Sequence, residues 1–113
     1  MNILIEKNVK LKKIVAIIDE MKDISYVIDT KRVIVSNANL YDICIIFCNT
    51  IKGIDSFKKI KERNIIAFTD NLDDKFIYDI IHAIHPQDMI NINNSNDSIK
   101  QRLNAMMCNF ERA

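Results

Sequence analysis

The sequence predicts an α/β domain in three layers, with a doubly wound, five-stranded parallel sheet between helices on both faces. Short apolar runs alternate along the chain with segments whose apolar residues recur at helical spacing. The runs contain few polar residues, which is typical of parallel strands covered on both faces. Short polar loops join the segments and favour right-handed crossovers. Because the chain has 113 residues, we expect a single domain over residues 1–113.

Five strands are predicted from the apolar runs. They cover residues 3–5, 26–28, 43–47, 65–68 and 89–92, and residues 32–35 read as a further extended segment. The run at 43–47 is apolar, rich in β-branched residues and unbroken, so it is expected at the centre of the sheet. Five strands in about 110 residues suit a flavodoxin-like domain.

Four amphipathic helices are predicted between and after these strands. They run from residue 11 to 21, from about 56 to 63, from capping residues at 70–74 through 84, and from a cap at 96 or 97 through 110. Phe57 and Ile60 anchor the second of these helices. In the third, Ile77, Ile80, Ile81 and Ile84 are expected to point inward, and Pro86 stops the helix.

Composition restricts the classes of function. Hydrophobic residues make up 49% and charged residues 27% of the chain, as in ordinary globular domains. With 16 Lys and Arg residues against 15 Asp and Glu residues, the net charge is +1, so we expect nucleic acid to be bound only through a further domain, one that follows Ala113. No apolar run reaches the roughly 18 residues of a membrane span, and the start lacks a secretory-signal pattern. We therefore expect a cytoplasmic protein with reduced thiols and no membrane contact.

Several segments resemble the receiver domain of bacterial two-component response regulators, over nearly the whole chain. Residues 3–8 are similar to the first strand of the family and its acidic pair, and residues 41–46 to its third strand. Residues 65–70 resemble the fourth strand with its switch threonine, and residues 86–90 the turn into the fifth strand. Residues 102–107 resemble the fifth helix of receivers attached to winged-helix DNA-binding domains. The resemblance implies a receiver-like fold with helix two shortened or lost, because only about a dozen residues lie between the second and third strands.

The sequence departs from the family at the phosphorylation pocket. Receiver chemistry needs three carboxylates around one magnesium ion, and one of them takes the phosphoryl group from a histidine kinase; a lysine and a hydroxyl contact the phosphoryl oxygens. The resemblance assigns the equivalent positions to Glu6 and Lys7 for two acids, Phe47 for the nucleophile, Thr69 for the hydroxyl and Ile92 for the lysine. An apolar ring cannot accept a phosphoryl group, and an ammonium repels magnesium. We therefore expect a pseudo-receiver that works without phosphorylation and has no enzymatic activity, catalytic residue, metal or cofactor.

Other chemistry-bearing residues have simpler interpretations. Lys7 is either a counter-ion that holds an active-like state or a residue of a pocket no longer in use, and the sequence leaves both open. Thr69 is interpreted as a strand-end hydroxyl that bonds nearby backbone. His82 and His85 lie three residues apart without a third ligand near them in sequence, so we interpret them as surface residues. Cys48 is interpreted as a buried, inert thiol.

The surface predicted to bind partners consists of helix four, strand five and helix five. Helix four is expected to present Lys75, Tyr78, Asp79 and His82 outward. Asp88 and Arg102 fall at positions where the resembling subfamily forms reciprocal salt bridges across a two-fold dimer. We therefore expect a homodimer or a protein partner on this face, with the domain serving as the regulatory part of a transcription regulator.

Two other functions stay open. One is a small flavodoxin-like protein that binds a nucleotide or flavin at the carboxyl ends of its strands. The absence of glycine near Glu6 and Phe47 speaks against it, because the chain has a single glycine. The other is a stand-alone adaptor that uses the same helix four, strand five and helix five surface.

Overall fold

The computed structural model describes residues 1–60 and 64–112, with side chains described as far as Cys108. The strands are β1 (Asn2–Glu6), β2 (Ser25–Asp29), β3 (Ile43–Phe47), β4 (Ile65–Thr69) and β5 (Asp88–Asn91). The helices are α1 (Lys12–Asp19), α2 (Lys31–Asn37), α3 (Ile51–Phe57), α4 (Asp74–Ile84) and α5 (Asn96–Arg112), with 3-10 turns at Val9–Leu11 and Ala38–Leu40. No helix in these ranges is both long and apolar enough to cross a bilayer.

The five strands form one parallel sheet in the order β2-β1-β3-β4-β5. The chain moves outward from β1 to β2, then crosses to β3 and continues in the other direction to β5. The point where the direction changes lies between β1 and β3, and in such sheets ligands bind at the carboxyl ends of the strands there. The predicted doubly wound, flavodoxin-like fold is therefore confirmed.

Side chains alternate between the two faces of the sheet and form two cores. On one face, α1 and α5 pack against Ile3, Ile5, Ile45 and their neighbours. On the other face, α2, α3 and α4 pack against Leu4, Cys44, Ile46 and their neighbours. Every residue of β3 and β4 is buried, which explains their unbroken apolar sequences.

Helix two is present and short, and the prediction of an extended segment at residues 32–35 was wrong. These residues lie in α2, which has seven residues. Three consecutive β-branched residues suggested a strand. However, Ile34 and Ala38 are both buried, and their spacing of four places them on one side of a helix that packs against the sheet. Tertiary packing outweighs the local preference.

Helix α3, the second of the predicted helices, begins and ends earlier than predicted, and residues 58–60 lie outside it. It starts at Ile51 and ends at Phe57, and the Thr50 side chain accepts a hydrogen bond from a backbone N–H in its first turn. Phe57 and Ile60 are buried, as expected of anchoring residues. The rest of the predicted segment, residues 61–63, lies outside the described residues.

Helix α4 buries a different stripe from the predicted one. Its inward residues are Phe76, Ile80 and Ile84, spaced four apart, whereas Ile81 is 45% exposed and Ile77 is only partly buried. The prediction of Ile77 and Ile81 as inward residues was wrong because it left Phe76 out of the inward stripe. The helix ends at Ile84, and its C-cap residue His85 is in the left-handed conformation (φ 54°) immediately before Pro86.

Candidate functional site

The carboxyl edge of the sheet brings the five predicted pocket positions to one side of the molecule. Strand β1 ends at Glu6, β3 at Phe47 and β4 at Thr69. Lys7 follows β1 directly, and the backbone N–H of Ile92, just after β5, bonds to the Thr69 carbonyl at 2.9 Å. The structure therefore brings the five positions to the carboxyl edge of the sheet, and their equivalence to a phosphorylation pocket stays a prediction.

Glu6 is the one buried carboxylate of this edge in the described chain. It is only 4% exposed, and its Oε1 accepts a hydrogen bond from the backbone N–H of Phe47 at 2.9 Å. Burial raises the pKa of Glu6, while that hydrogen bond and the positive charge of Lys31 lower the pKa in part. The carboxylate thus joins the ends of β1 and β3 through a side chain and a backbone amide.

Lys31 is a residue of this site that the sequence analysis missed. It is the first residue of α2, and its Nζ lies 5.2 Å from the centroid of the Phe57 ring, within the range of a cation–π contact. Its charge acts on Glu6 and also on Cys48. Lys7 is exposed, and its backbone N–H bonds to the Asp29 carbonyl at 2.7 Å. The cation that lowers the pKa of Glu6 is therefore Lys31.

Phe47 and Ile92, to which the resemblance assigns the positions of the nucleophile and the lysine, have buried apolar side chains. They are 6% and 4% exposed and belong to the core beneath α1 and α5. A second cation missed by the sequence analysis lies nearby. Lys13 in α1 donates hydrogen bonds through Nζ to the carbonyls of Ile92 (2.6 Å) and Asn94 (3.1 Å). An ammonium group therefore reaches the end of β5, but its partners are backbone oxygens.

Thr69 and Asp70 connect the loops around the edge. The Thr69 hydroxyl is buried and accepts a hydrogen bond from the Asn71 backbone N–H at 3.1 Å, as interpreted from the sequence. One oxygen of Asp70 accepts a hydrogen bond from Asn49 Nδ2 at 3.0 Å, and the other lies 3.6 Å from Lys10 Nζ. Asp70 thus connects the loops that follow β1, β3 and β4.

The two buried thiols, Cys48 directly after β3 and Cys44 near the start of β3, are poorly ionised. Burial raises the pKa of Cys48 to about 11 and that of Cys44 to about 12, so both are thiols at neutral pH. The one glycine, Gly53, lies in α3, where a Cβ atom would be 3.0 Å from Cys48 Sγ. Close packing against Cys48 therefore explains Gly53 without a phosphate loop. Across residues 1–60 and 64–112, no group of three His, Cys, Asp or Glu side chains is arranged to hold a metal ion.

The predicted partner surface is defined here as the α4–β5–α5 face, which includes the outward side chains of α4 and the pair Asp88 and Arg102. Lys75, Tyr78 and His82 are exposed and Asp79 is partly exposed; the Tyr78 and His82 rings have centroids 4.0 Å apart.

Asp88 and Arg102 are brought together within one chain. Arg102 Nε bonds to Asp88 Oδ2 at 3.1 Å, Arg102 Nη2 contacts Asp88 Oδ1, and Nη2 also bonds to the Met89 carbonyl at 3.0 Å. This two-point pairing stabilises the contact between β5 and α5. Reciprocal bridges across a dimer stay a prediction.

Comparison with known proteins supports the fold. No family model and no curated protein matches the sequence. The N-terminal domain of a response regulator/sensory box/GGDEF three-domain protein from Carboxydothermus hydrogenoformans has a TM-score of 0.71 at 12% identity, covering 99% of this chain and 98% of that one. A chain in which amino acids 181–211 of the yeast Spc42 trimeric coiled coil are fused to another structure gives a TM-score of 0.72 at 12% identity, covering 99% and 82%. The chain therefore has a receiver-like fold.

Proposed function

We propose that this chain is a receiver-like signalling domain that works without phosphorylation, through contact with a protein partner or a second copy of itself. The receiver-like fold supports a signalling role in general. The observation that carries the finer proposal is the contact between Glu6 and Phe47, because the residue that should provide a nucleophilic carboxylate provides only a backbone N–H. We further propose that the domain acts in the cytoplasm, as the regulatory part of a transcription regulator.

The side chains at the pocket favour a constitutive state over phosphotransfer. Phosphoryl transfer to a protein needs an accessible nucleophile, and Phe47 offers an apolar ring that is almost fully buried. Lys31 supplies positive charge near Glu6 from within the chain. Asp70 connects the loops that follow β1, β3 and β4. Glu6 and Asp70 thus have partners within the unmodified protein.

Incubation with acetyl phosphate and magnesium tests the absence of phosphotransfer. We expect the intact mass to stay unchanged and the amide NMR spectrum to show no magnesium-dependent shifts upon addition of beryllofluoride. A receiver that has all three carboxylates serves as the positive control for the reagents. A covalent phosphoryl increment, or saturable beryllofluoride shifts centred on Phe47 and Thr69, would overturn this part of the proposal.

The α4–β5–α5 face supports the interaction part of the proposal. Tyr78 is 60% exposed and Ile81 is 45% exposed on α4, so the helix presents apolar area between charged side chains. Acidic and basic groups lie on the same surface, as a two-fold contact requires. Ile81→Glu should weaken self-association in sedimentation velocity. Leu40→Glu, at a residue 70% exposed in a different part of the fold, is the matched control and should leave self-association unchanged.

A mixing experiment separates pairing within a chain from pairing between chains. Asp88→Arg and Arg102→Asp each place two like charges at the pair and should each reduce dimer formation. If the salt bridges are reciprocal across a dimer, an equimolar mixture of the two variants restores opposite charges at both contacts and restores the dimer. If the mixture stays monomeric while the double variant Asp88→Arg/Arg102→Asp recovers stability, the pair acts only within the chain, and the predicted reciprocal bridge is wrong.

A further inference from the structure

An apolar cavity of about 540 Å³ lies between the start of α1 and the edge strand β2. Its walls come from Val9, Leu11 and Val15 on the side of α1 and from Ile28 on β2. The volume lies within the range of about 300–1,000 Å³ that is common for sites of small organic ligands. The cavity is separate from the α4–β5–α5 face.

The cavity exists because β2 is the last strand of the sheet on this side. Tyr26 and Ile28 are two residues apart and therefore share one face of β2. Tyr26 donates a hydrogen bond through its hydroxyl to Asp19 Oδ1 at 2.7 Å, which closes the space near the end of α1. Ile28 is shorter and stays 44% exposed, and Val9 is 74% exposed. The space near the start of α1 therefore stays open and apolar.

Two lysine side chains, Lys7 and Lys12, contribute the positive charge of the cavity lining. Both are exposed, and neither takes part in an ion pair within residues 1–60 and 64–112. Glu6 lies at the inner end, where its carboxylate already accepts a hydrogen bond from the Phe47 amide. A ligand in this cavity therefore meets apolar walls and two available ammonium groups.

From this arrangement we infer that the cavity binds a small amphipathic anion, with an aliphatic or aromatic body and one carboxylate-type head group. The body packs against Val9, Leu11, Val15 and Ile28, and burial of each methylene group there is favourable. The head group pairs with the two lysines at the solvent side. This inference rests on the cavity alone, so it does not depend on whether the domain works without phosphorylation.

Decanoate is the probe, and its binding is measured by isothermal titration calorimetry and by amide chemical-shift changes. We expect saturable binding in the micromolar range, with shifts confined to residues 6–15 and 28. Ile28→Trp fills the cavity and should weaken binding by about tenfold or more, which is the effect of losing the burial of roughly two methylene groups. Val27→Trp is the matched control, because Val27 has the same 44% exposure on the opposite face of β2 and should change nothing.

The charge requirement is tested separately. The double variant Lys7→Glu/Lys12→Glu should weaken decanoate binding by about fivefold or more, whereas Lys52→Glu, at an exposed lysine of α3, should have no effect. Decyltrimethylammonium, with the same chain and opposite charge, should bind more weakly than decanoate.

Three results would overturn the inference. They are no saturable binding of decanoate at millimolar concentration, equal weakening by Ile28→Trp and Val27→Trp, and equal binding of the cationic analogue. A different outcome is that the protein does not bind decanoate but self-associates, and that Ile28→Trp abolishes this self-association. The cavity would then be assigned to a second copy of the chain.

Discussion

Lys13 provides the sharpest test of how the carboxyl edge is held together. Its ammonium group joins α1 to the end of β5 by donating to the carbonyls of Ile92 and Asn94. Lys13→Met keeps most of the aliphatic stem and removes both bonds. Hydrogen bonds to charged groups contribute about 1.5–3 kcal/mol each to stability. Because the Lys13 side chain is only partly buried, we expect the variant to lose about 2 kcal/mol in total.

The measurement is urea unfolding followed by circular dichroism. A loss of this size should also lower Tm by about 8 °C in a domain of this length. Lys12→Met is the matched control, because Lys12 is the exposed neighbour of Lys13 in the same helix and takes part in no ion pair among the described residues. Its stability should change by less than about 0.5 kcal/mol. If the two variants are equally stable, Lys13 does not hold the end of β5 and this reasoning is refuted.

Two further predictions concern Glu6 and Gly53. Because burial raises the pKa of Glu6 above its ordinary 4.5, its contribution to stability is complete below pH 4.5 and is lost as pH rises through the folded pKa. The free energy of unfolding of the wild type minus that of Glu6→Gln should therefore fall as pH rises above 4.5. A difference that does not vary with pH would contradict a raised pKa for Glu6. Gly53→Ala should gain about 1 kcal/mol of helix propensity but lose about 1–3 kcal/mol to overpacking, because the new Cβ lies 3.0 Å from Cys48 Sγ. In a Cys48→Ala background, Gly53→Ala should become stabilising. If a double-mutant cycle shows no coupling energy between residues 48 and 53, their contact is not the cause of the overpacking cost.

The strands could be predicted from the sequence because their signal is local. An apolar run such as residues 43–47 is buried on both faces whatever its neighbours are, so composition alone identifies it. Helix α2 could not be predicted in the same way. Its β-branched residues favour a strand, and only the packing of Ile34 and Ala38 against the sheet decides for a helix.

The five predicted pocket positions lie at the carboxyl ends of the strands, and their equivalence to a phosphorylation pocket stays a prediction; the cations that act at this edge were not found from the sequence. Lys13 lies 79 residues from Ile92 in sequence, so their contact exists only because α1 packs beside the end of β5. Lys31 reaches the region of Glu6 only because α2 forms. Lys7, which follows Glu6 directly in the sequence, is turned outward. Adjacency in sequence therefore does not identify the cation that acts on Glu6, whereas the packing of α1 and α2 brings Lys13 and Lys31 to this edge.

The Asp70 contacts have a consequence for motion at the rim of the domain. One carboxylate engages Lys10 and Asn49, which belong to two loops from different parts of the chain. If the loop with Lys10 or the loop with Asn49 moves, its contact with Asp70, in the loop after β4, must stretch or break. The three segments are therefore expected to fluctuate in concert, with a common exchange rate in NMR relaxation dispersion.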